Sequence, residues 1–372
     1  MKILFISHNA SLSGAPLVLL NLLKWIQQHQ PEFTADILFL EGGDYLDEFR
    51  QCVHQVFLPA DLHQEKEKKS FLKRLKKKFF SPRPGNTPRR FRVNDYRFIY
   101  ANTVLALPIG ENLKQLNPSA KLLLHLHELD TVIRILDAGF HDRIDKVDVF
   151  IGVSRSVCDN LLQQYGIPQN KIRLVYEFIN APQQESLPAP NNQAKPFKIG
   201  ASGFIDWRKG YEIFILVAAK IKKTYPDLDL VFEWVGDVSR ETAIVIDNDL
   251  KKLALQDTVF FSGKTRQPLA KFREFDILLL PSREDPFPLV CLEAGLLGKP
   301  VICFEKAGGI PELLEDGGGR VVPYLDIDAM AEAVKFYHDH PEIRQADGNR
   351  LKEKAAQYDT RVLAPQIVSL FR

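Results

Sequence analysis

The sequence predicts two doubly wound α/β domains, each built on a parallel sheet, and three observations carry that prediction. Short apolar runs alternate with helix-length stretches along nearly the whole chain. The runs lack the in–out alternation of a sheet wetted on one face, so they read as strands covered on both. The rhythm also breaks once, in a polar and proline-rich stretch, and then starts afresh. A length of 372 residues is about twice an ordinary domain. A composition of 45% hydrophobic and 26% charged residues excludes long disorder, a collagen repeat and a disulfide scaffold.

The elements follow in order. Lys2 to Ile6 is the first apolar run, and the polar loop His8 to Gly14 leads into PLVLLNLLKWIQQ, whose Pro16 suits a first helical turn. ADILFL (Ala35 to Leu40) completes a βαβ unit. RFIYA (Arg97 to Ala101), KLLLHLH (Lys121 to His127), VDVFIGV (Val147 to Val153) and KIRLVY (Lys171 to Tyr176) continue the first domain, residues 1–180. Residues 181–196, APQQESLPAPNNQAKP, have no periodicity and read as a linker. The second domain, 197–358, restarts with FKIGASG (Phe197 to Gly203) and continues through LDLVFEWVG (Leu228 to Gly236), TVFFSG (Thr258 to Gly263), FDILLLPS (Phe275 to Ser282), PVICF (Pro300 to Phe304) and GRVVP (Gly319 to Pro323). Helical patterns such as YEIFILVAAKIKK and DAMAEAVKFYHDH separate these strands. Ligands of such sheets bind beyond the carboxyl ends of the strands, so a site in a cleft between the two domains is expected. The apolar residues of DTRVLAPQIVSLFR need a surface to cover, and a helix over 359–372 is expected to pack back on the first domain.

Whole-chain properties exclude several classes. A formal net charge of +2 points to no nucleic-acid partner. Cys52, Cys158, Cys291 and Cys303 have no CxxC spacing and read as reduced thiols. No apolar run reaches the roughly 18 residues of a spanning helix, and MKILFISHNA is too short in its apolar part for a signal peptide. A cytoplasmic location is expected, with peripheral contact to the inner membrane face left open.

The densest chemistry lies in LPSREDPFPLVCLEAGLLG, Leu280 to Gly298. A strand ends at Ser282, a loop carries Glu284 and Asp285, and a helix starts near Pro288 or Leu289 with Glu293 in its first turns. Two carboxylates so placed suit sugar hydroxyls, and the free N–H groups of the helix start suit a phosphate. The same residues are equally compatible with Asp285 as a helix cap and Glu293 as a helix-dipole partner.

This segment resembles the signature of family 4 retaining glycosyltransferases of the GT-B fold, in which two glutamates are separated by seven residues. Here Asp285 and Glu293 have that spacing, with the first acid one methylene shorter. The resemblance implies that Asp285 contacts the donor sugar, with Pro286, Phe287 and Leu289 beside it, and that Glu293 binds the ribose. GFIDWRKGYEIFI (Gly203 to Ile215) resembles the family's phosphate-binding strand–turn–helix. It implies that Gly203, Arg208 and Lys209 meet the diphosphate, the two cations neutralising it as it leaves. Some members carry an arginine where this chain has Phe204. KAGGIPEL (Lys306 to Leu313) resembles the glycine-rich turn near the donor, with Gly308 and Gly309, and Gly263 ends the strand TVFFSG. In the first domain SLSGAPLVLL resembles the loop-to-helix entry that places Gly14 towards the donor, and HLHELD resembles the family's cleft-histidine segment, which implies a catalytic role for His127 beside Arg208, Lys209 and Asp285. His125 on the same strand reads as a packed core residue, and His8 is a lesser candidate.

The resemblance thus implies a hexosyl-transferring enzyme that moves a sugar from a nucleotide sugar to a hydroxyl of a glycan or lipid-linked acceptor, as in polysaccharide biosynthesis. No cofactor and no metal are expected. DxD pairs at Asp227/Asp229, Asp247/Asp249 and Asp326/Asp328 read as structural, the last as a helix cap. A GT-B-like sugar-nucleotide epimerase and a non-catalytic nucleotide-sugar binder are the alternatives. Residues 61–92 fall outside the resemblance. They hold twelve Lys or Arg against three acids, a net +9 that leaves −7 for the rest of the chain. Phe71, Leu72, Leu75 and Phe79 fall on one helical face, so residues 66–92 are expected to meet an anionic membrane surface; a solvated loop or contact with an anionic polysaccharide acceptor stays open.

Overall fold

The structure, a computed structural model, describes residues 1–58, 92–180 and 196–372. The basic segment 66–92, save Arg92, and nearly all of the linker lie outside the described residues. The chain packs as two compact units. One comprises residues 1–152, 161–173 and 367–372; the other comprises 153–160 and 174–366. Residues 153–160 and 174–180, which precede the composition break, therefore group with the second unit.

The first unit contains β1 (Lys2–Ser7), α1 (Gly14–His29), β2 (Thr34–Phe39), α2 (Leu46–Cys52), β3 (Gln55–Phe57), β4 (Phe98–Asn102), α3 (Leu107–Leu116), β5 (Lys121–Leu126), α4 (Asp130–Leu136) and β6 (Val149–Gly152). Helix α5 (Arg155–Gln163) and β7 (Ile172–Leu174) follow. The sheet order is β3-β2-β1-β4-β5-β6-β7, and the strands from β3 to β6 pair in parallel, with Ile3 opposite Ala35 and Phe98. Residues Ile3 to Ile6 are fully buried, as expected of a central strand covered on both faces. The three-residue β3 has too little apolar pattern to announce itself in sequence. At the chain's end Phe371 is fully buried, its ring 5.4 Å from Phe98 and 6.0 Å from Phe5 and Tyr100.

The second unit contains β8 (Phe197–Ser202), α6 (Tyr211–Thr224), β9 (Leu230–Val235), α7 (Arg240–Lys252), β10 (Val259–Phe261), α8 (Pro268–Phe272), β11 (Ile277–Leu280), α9 (Leu289–Leu296), β12 (Val301–Phe304), α10 (Ile310–Leu313), β13 (Gly319–Val322), α11 (Ile327–Asp339) and α12 (Pro341–Ala355). Helix α13 (Thr360–Ser369) closes the chain. The order is β10-β9-β8-β11-β12-β13, again parallel. Phe214, Phe232, Trp234, Ile277 and Ile302 form its buried centre. Asp326 caps α11 by accepting from the Ala329 N–H at 2.8 Å, and Asp247 and Asp249 lie within α7. Among the described residues no helix is long and apolar enough to cross a membrane.

Candidate functional site

The second sheet reverses its strand order between β8 and β11, the switch point where ligands of such folds bind. Polar side chains gather beyond these two strand ends. Asp285 is 95% buried, and its Oδ2 accepts from Lys209 Nζ at 2.6 Å and Ser282 Oγ at 3.0 Å. Arg208 Nη1 lies 3.4 Å from Oδ1 and donates to the Glu284 carbonyl at 3.0 Å. Burial pushes the Asp285 carboxyl up, but the Lys209 and Arg208 charges and its hydrogen bonds outweigh that and hold it below the usual carboxylate range. Two cations thus converge on one carboxylate at the switch point, and the cations are suited to an anion.

Backbone contacts fix this arrangement. Lys209 N–H donates to Asp206 Oδ1 at 2.9 Å, and Arg283 N–H donates to the Arg208 carbonyl at 2.8 Å. Beyond β11 and β12 an isolated bridge joins Asp285 to Gly308, with Asp285 N–H donating to Ala307 O at 2.6 Å and Gly309 N–H to Pro286 O at 2.8 Å. Gly308 has φ +146°, and a Cβ there would sit 1.7 Å from the Asp285 carbonyl oxygen, so only glycine fits. Phe287 and Leu289 are buried, and α9 starts at Leu289.

Glu293 is the fifth residue of α9. It is half-buried, and among the described residues its carboxylate has no hydrogen bond or ion pair. Desolvation by burial pushes its pKa up to about 7. An uncompensated carboxylate of this kind is a hallmark of functional sites. Gly203 follows β8 directly with its Cα beside the Lys209 side chain, and Gly263 follows β10 with open space around it. Phe204 is 56% exposed.

In the first unit His127 follows β5 and is half-buried. Its Nε2 lies 3.1 Å from Asn102 Oδ1, and its ring centroid is 4.2 Å from that of His125. His125 is buried with Tyr100 Oη 2.6 Å from its Nδ1, in keeping with a packed core residue. His8 Nδ1 lies 3.2 Å from Thr103 Oγ1, and burial followed by the His127 charge lowers its pKa to about 4. His8, Asn102 and Thr103 stand at the switch point of their sheet, between β1 and β4, with His127 beyond the neighbouring β5. Gly14 is exposed at the start of α1.

Of the two local readings of Asp285, the structure excludes the cap. Asp285 does not cap α9: Pro288 holds the cap position and makes no side-chain cap bond, while the Asp285 carboxylate is drawn away by Lys209 and Arg208. Sequence reasoning also missed Ser282, Asn102 and Thr103. Thr103 holds φ +80°, rare for a β-branched residue, and nothing in its neighbourhood of sequence signals it. Ser282 was visible inside LPSRED, one turn from the acid it serves.

Residues 182–357 match the family model described as glycosyl transferases group 1. The match lies within the second unit and covers a little under half of the chain. That stretch holds Gly203, Arg208, Lys209, Gly263, Asp285, Pro286, Phe287, Leu289, Glu293, Gly308 and Gly309; Gly14 and His127 precede it. The chain is also similar to individual curated proteins. An uncharacterized 41.2 kDa protein in the cps region of Klebsiella pneumoniae is 31% identical over 187 residues, 47% of this chain and 48% of that protein. A D-inositol 3-phosphate glycosyltransferase of Paenarthrobacter aurescens is 30% identical over 155 residues, 41% of this chain and 38% of that one. The chain thus spans less than half the length of these curated relatives. Among solved structures, Anabaena Alr3699/HepE in complex with UDP and glucose superposes with a TM-score of 0.79 at 20% identity, covering 100% of this chain and 99% of that one. At that identity the likeness shows the fold, GT-B with two parallel-sheet α/β domains.

Proposed function

We propose that this protein is a retaining glycosyltransferase that moves a hexosyl group from a nucleotide sugar to a hydroxyl of a glycan or lipid-linked acceptor. The observation that carries the proposal is the Lys209–Asp285–Arg208 cluster at the switch point of a group 1 sheet. A nucleoside diphosphate is the anion that such a region with an unpaired carboxylate nearby would suit. Arg208 and Lys209 stabilise the diphosphate as its bond to the sugar breaks, when its negative charge is greatest. Asp285, held ionised by the same two cations, accepts from donor-sugar hydroxyls. Glu293 accepts from ribose hydroxyls, and Gly203, Gly308 and Gly309 let backbone approach the phosphates. His127, held by Asn102 beyond the first unit's strand β5, is the first unit's candidate catalytic residue. No metal or cofactor enters this scheme.

The test is a panel of nucleotide sugars, uridine sugars first because the similar Anabaena protein was solved with UDP and glucose. Nucleoside diphosphate release is measured with and without acceptor extracts, and the anomeric configuration of any product is read by NMR. Acceptor-dependent release with retained configuration is expected. An altered free nucleotide sugar would identify an epimerase, and binding without turnover would identify a binder.

A further inference from the structure

The polar groups around Glu312 do not belong to the cation cluster, yet they join it to another part of the second unit. Glu312 lies in α10, three residues after Gly309. Its side chain is 11% exposed, and its two oxygens divide their bonds. Oε2 accepts from the Arg155 N–H at 2.9 Å and from Tyr176 Oη at 3.1 Å, while Oε1 accepts from the Ser156 N–H at 2.9 Å. Arg155 Nε adds an ion pair at 3.5 Å.

These bonds complete the start of α5. Ser154 Oγ accepts from the Val157 N–H at 3.2 Å and the Ser154 carbonyl accepts from the Cys158 N–H at 3.1 Å. Glu312 supplies the acceptors for the Arg155 and Ser156 N–H groups. Two donors of a helix start that would otherwise lack partners, at the positive end of the helix dipole, thereby meet the protein's own carboxylate. The arrangement has a consequence for the glycine turn. On one side the turn is bonded to Asp285 and Pro286, as described above. On the other, a Cβ on Gly309 would fall 2.5 Å from Ser154 Cβ, so the turn lies directly against the residue that precedes α5. Tyr176 adds a second tie, because its ring lies 5.1 Å from that of Phe287 and 5.4 Å from that of Tyr358.

We propose that Glu312 is a positioning residue of the donor site. By gripping the start of α5 and the Tyr176 hydroxyl, its carboxylate holds the Gly308–Gly309 turn at the height from which its backbone meets the donor phosphates and sugar. The proposal rests on the donor-site reading above. Without the carboxylate the turn keeps its bonds to residues 285 and 286 but loses its hydrogen-bonded tie to α5, and the N–H groups of Arg155 and Ser156 lose their acceptor.

The experiment titrates UDP, GDP and ADP and their glucose or mannose conjugates into wild type, Glu312→Gln, Glu312→Asp, Tyr176→Phe and Glu315→Gln by calorimetry, well below each variant's Tm. Glu315 is the control: it pairs with Arg155 but is largely exposed, and among the described residues its carboxylate accepts from no backbone N–H. Glu312→Gln is expected to raise the Kd of the preferred ligand about tenfold, with faster amide exchange at residues 305–312. Tyr176→Phe and Glu312→Asp should fall between it and wild type, and Glu315→Gln should match wild type. A merely structural residue would lower Tm and leave the Kd of the folded fraction unchanged, and that result overturns the proposal. Wild type that binds no panel member would overturn the donor-site reading itself, and this inference with it.

Discussion

Lys209 Nζ lies 2.6 Å from Asp285 Oδ2, joining the turn after β8 to the loop after β11, and the carboxylate is 95% buried. The pair explains how a buried acid stays ionised and how a lysine is held at the switch point instead of ranging through solvent. It also makes the site sensitive to the loss of either partner.

Lys209→Ala should therefore act twice. Activity should fall about 100-fold in kcat with a smaller change in donor KM, since the charge matters most as the diphosphate leaves. Stability should fall by about 3 kcal/mol, because a buried carboxylate loses its nearest cation. The sign with pH is fixed by the lowered Asp285 pKa. Its stabilisation is complete above the ordinary aspartate value of about 3.9 and is lost as pH falls through the lower folded value. In the variant that carboxyl rises, so Tm measured from pH 4 to 8 should decline from a higher pH than in wild type. A pure KM effect would demote Lys209 to a ground-state binder.

Glu293→Gln should weaken nucleoside diphosphate binding by about 1–3 kcal/mol and yet stabilise the free protein. An acid whose folded pKa is raised to about 7 destabilises the fold increasingly from its ordinary value of about 4.3 up to that pH. The gain in the variant should be on the order of 1–3 kcal/mol at pH 8 and should shrink towards pH 5. Denaturant titrations at the two pH values check it; equal gains at both would contradict the assignment.

Two glycines should respond differently to alanine. Gly263 has φ +73° but no atom within 4 Å of a built Cβ, so Gly263→Ala meets only backbone strain, about 1 kcal/mol. Gly308→Ala would drive its Cβ into the Asp285 carbonyl and should cost about 3 kcal/mol or more, with loss of donor binding. Thermal unfolding of both, side by side, checks the ranking.

Phe371→Ala should cost about 3–5 kcal/mol, because a fully buried ring among Phe5, Phe98 and Tyr100 leaves a cavity that rigid strands cannot fill. Removing the last residues beyond Tyr358 should cost more. A truncated chain of unchanged stability would be the contrary result.

The basic segment supplies a fifth prediction. A net +9 over residues 61–92 should bring the protein down with anionic but not neutral vesicles at low salt, and release it at high salt. Changing Lys73, Lys76, Lys77 and Lys78 to Gln should weaken that co-sedimentation. Wild type that ignores anionic vesicles at low salt would end the membrane reading.

Much of this was legible along the chain. Strands buried on both faces announce themselves as apolar runs, and the break at residues 181–196 shows that the pattern starts twice. The spacing of Asp285 and Glu293, and a helix start near Leu289, could be read from eighteen or so consecutive residues around them. Edge strand β3 could not, since three residues of mixed polarity hold no period.

The sequence by itself determined the fold class, the order of the strands along the chain and the candidate acids, because burial periodicity and helix-start chemistry act over a few neighbouring residues. Only the tertiary structure decided what those side chains bond. Asp285 was free to cap its own helix until the sheet order brought Lys209, 76 residues earlier, to its carboxylate. Glu312 had no visible purpose until Ser156, 156 residues away, and Tyr176, 136 residues away, reached its two oxygens. Polar partners are chosen by distance and direction in space at ranges of about 3 Å. Crossover connections between parallel strands bring such partners from far along the chain, and no local pattern of residues records the choice.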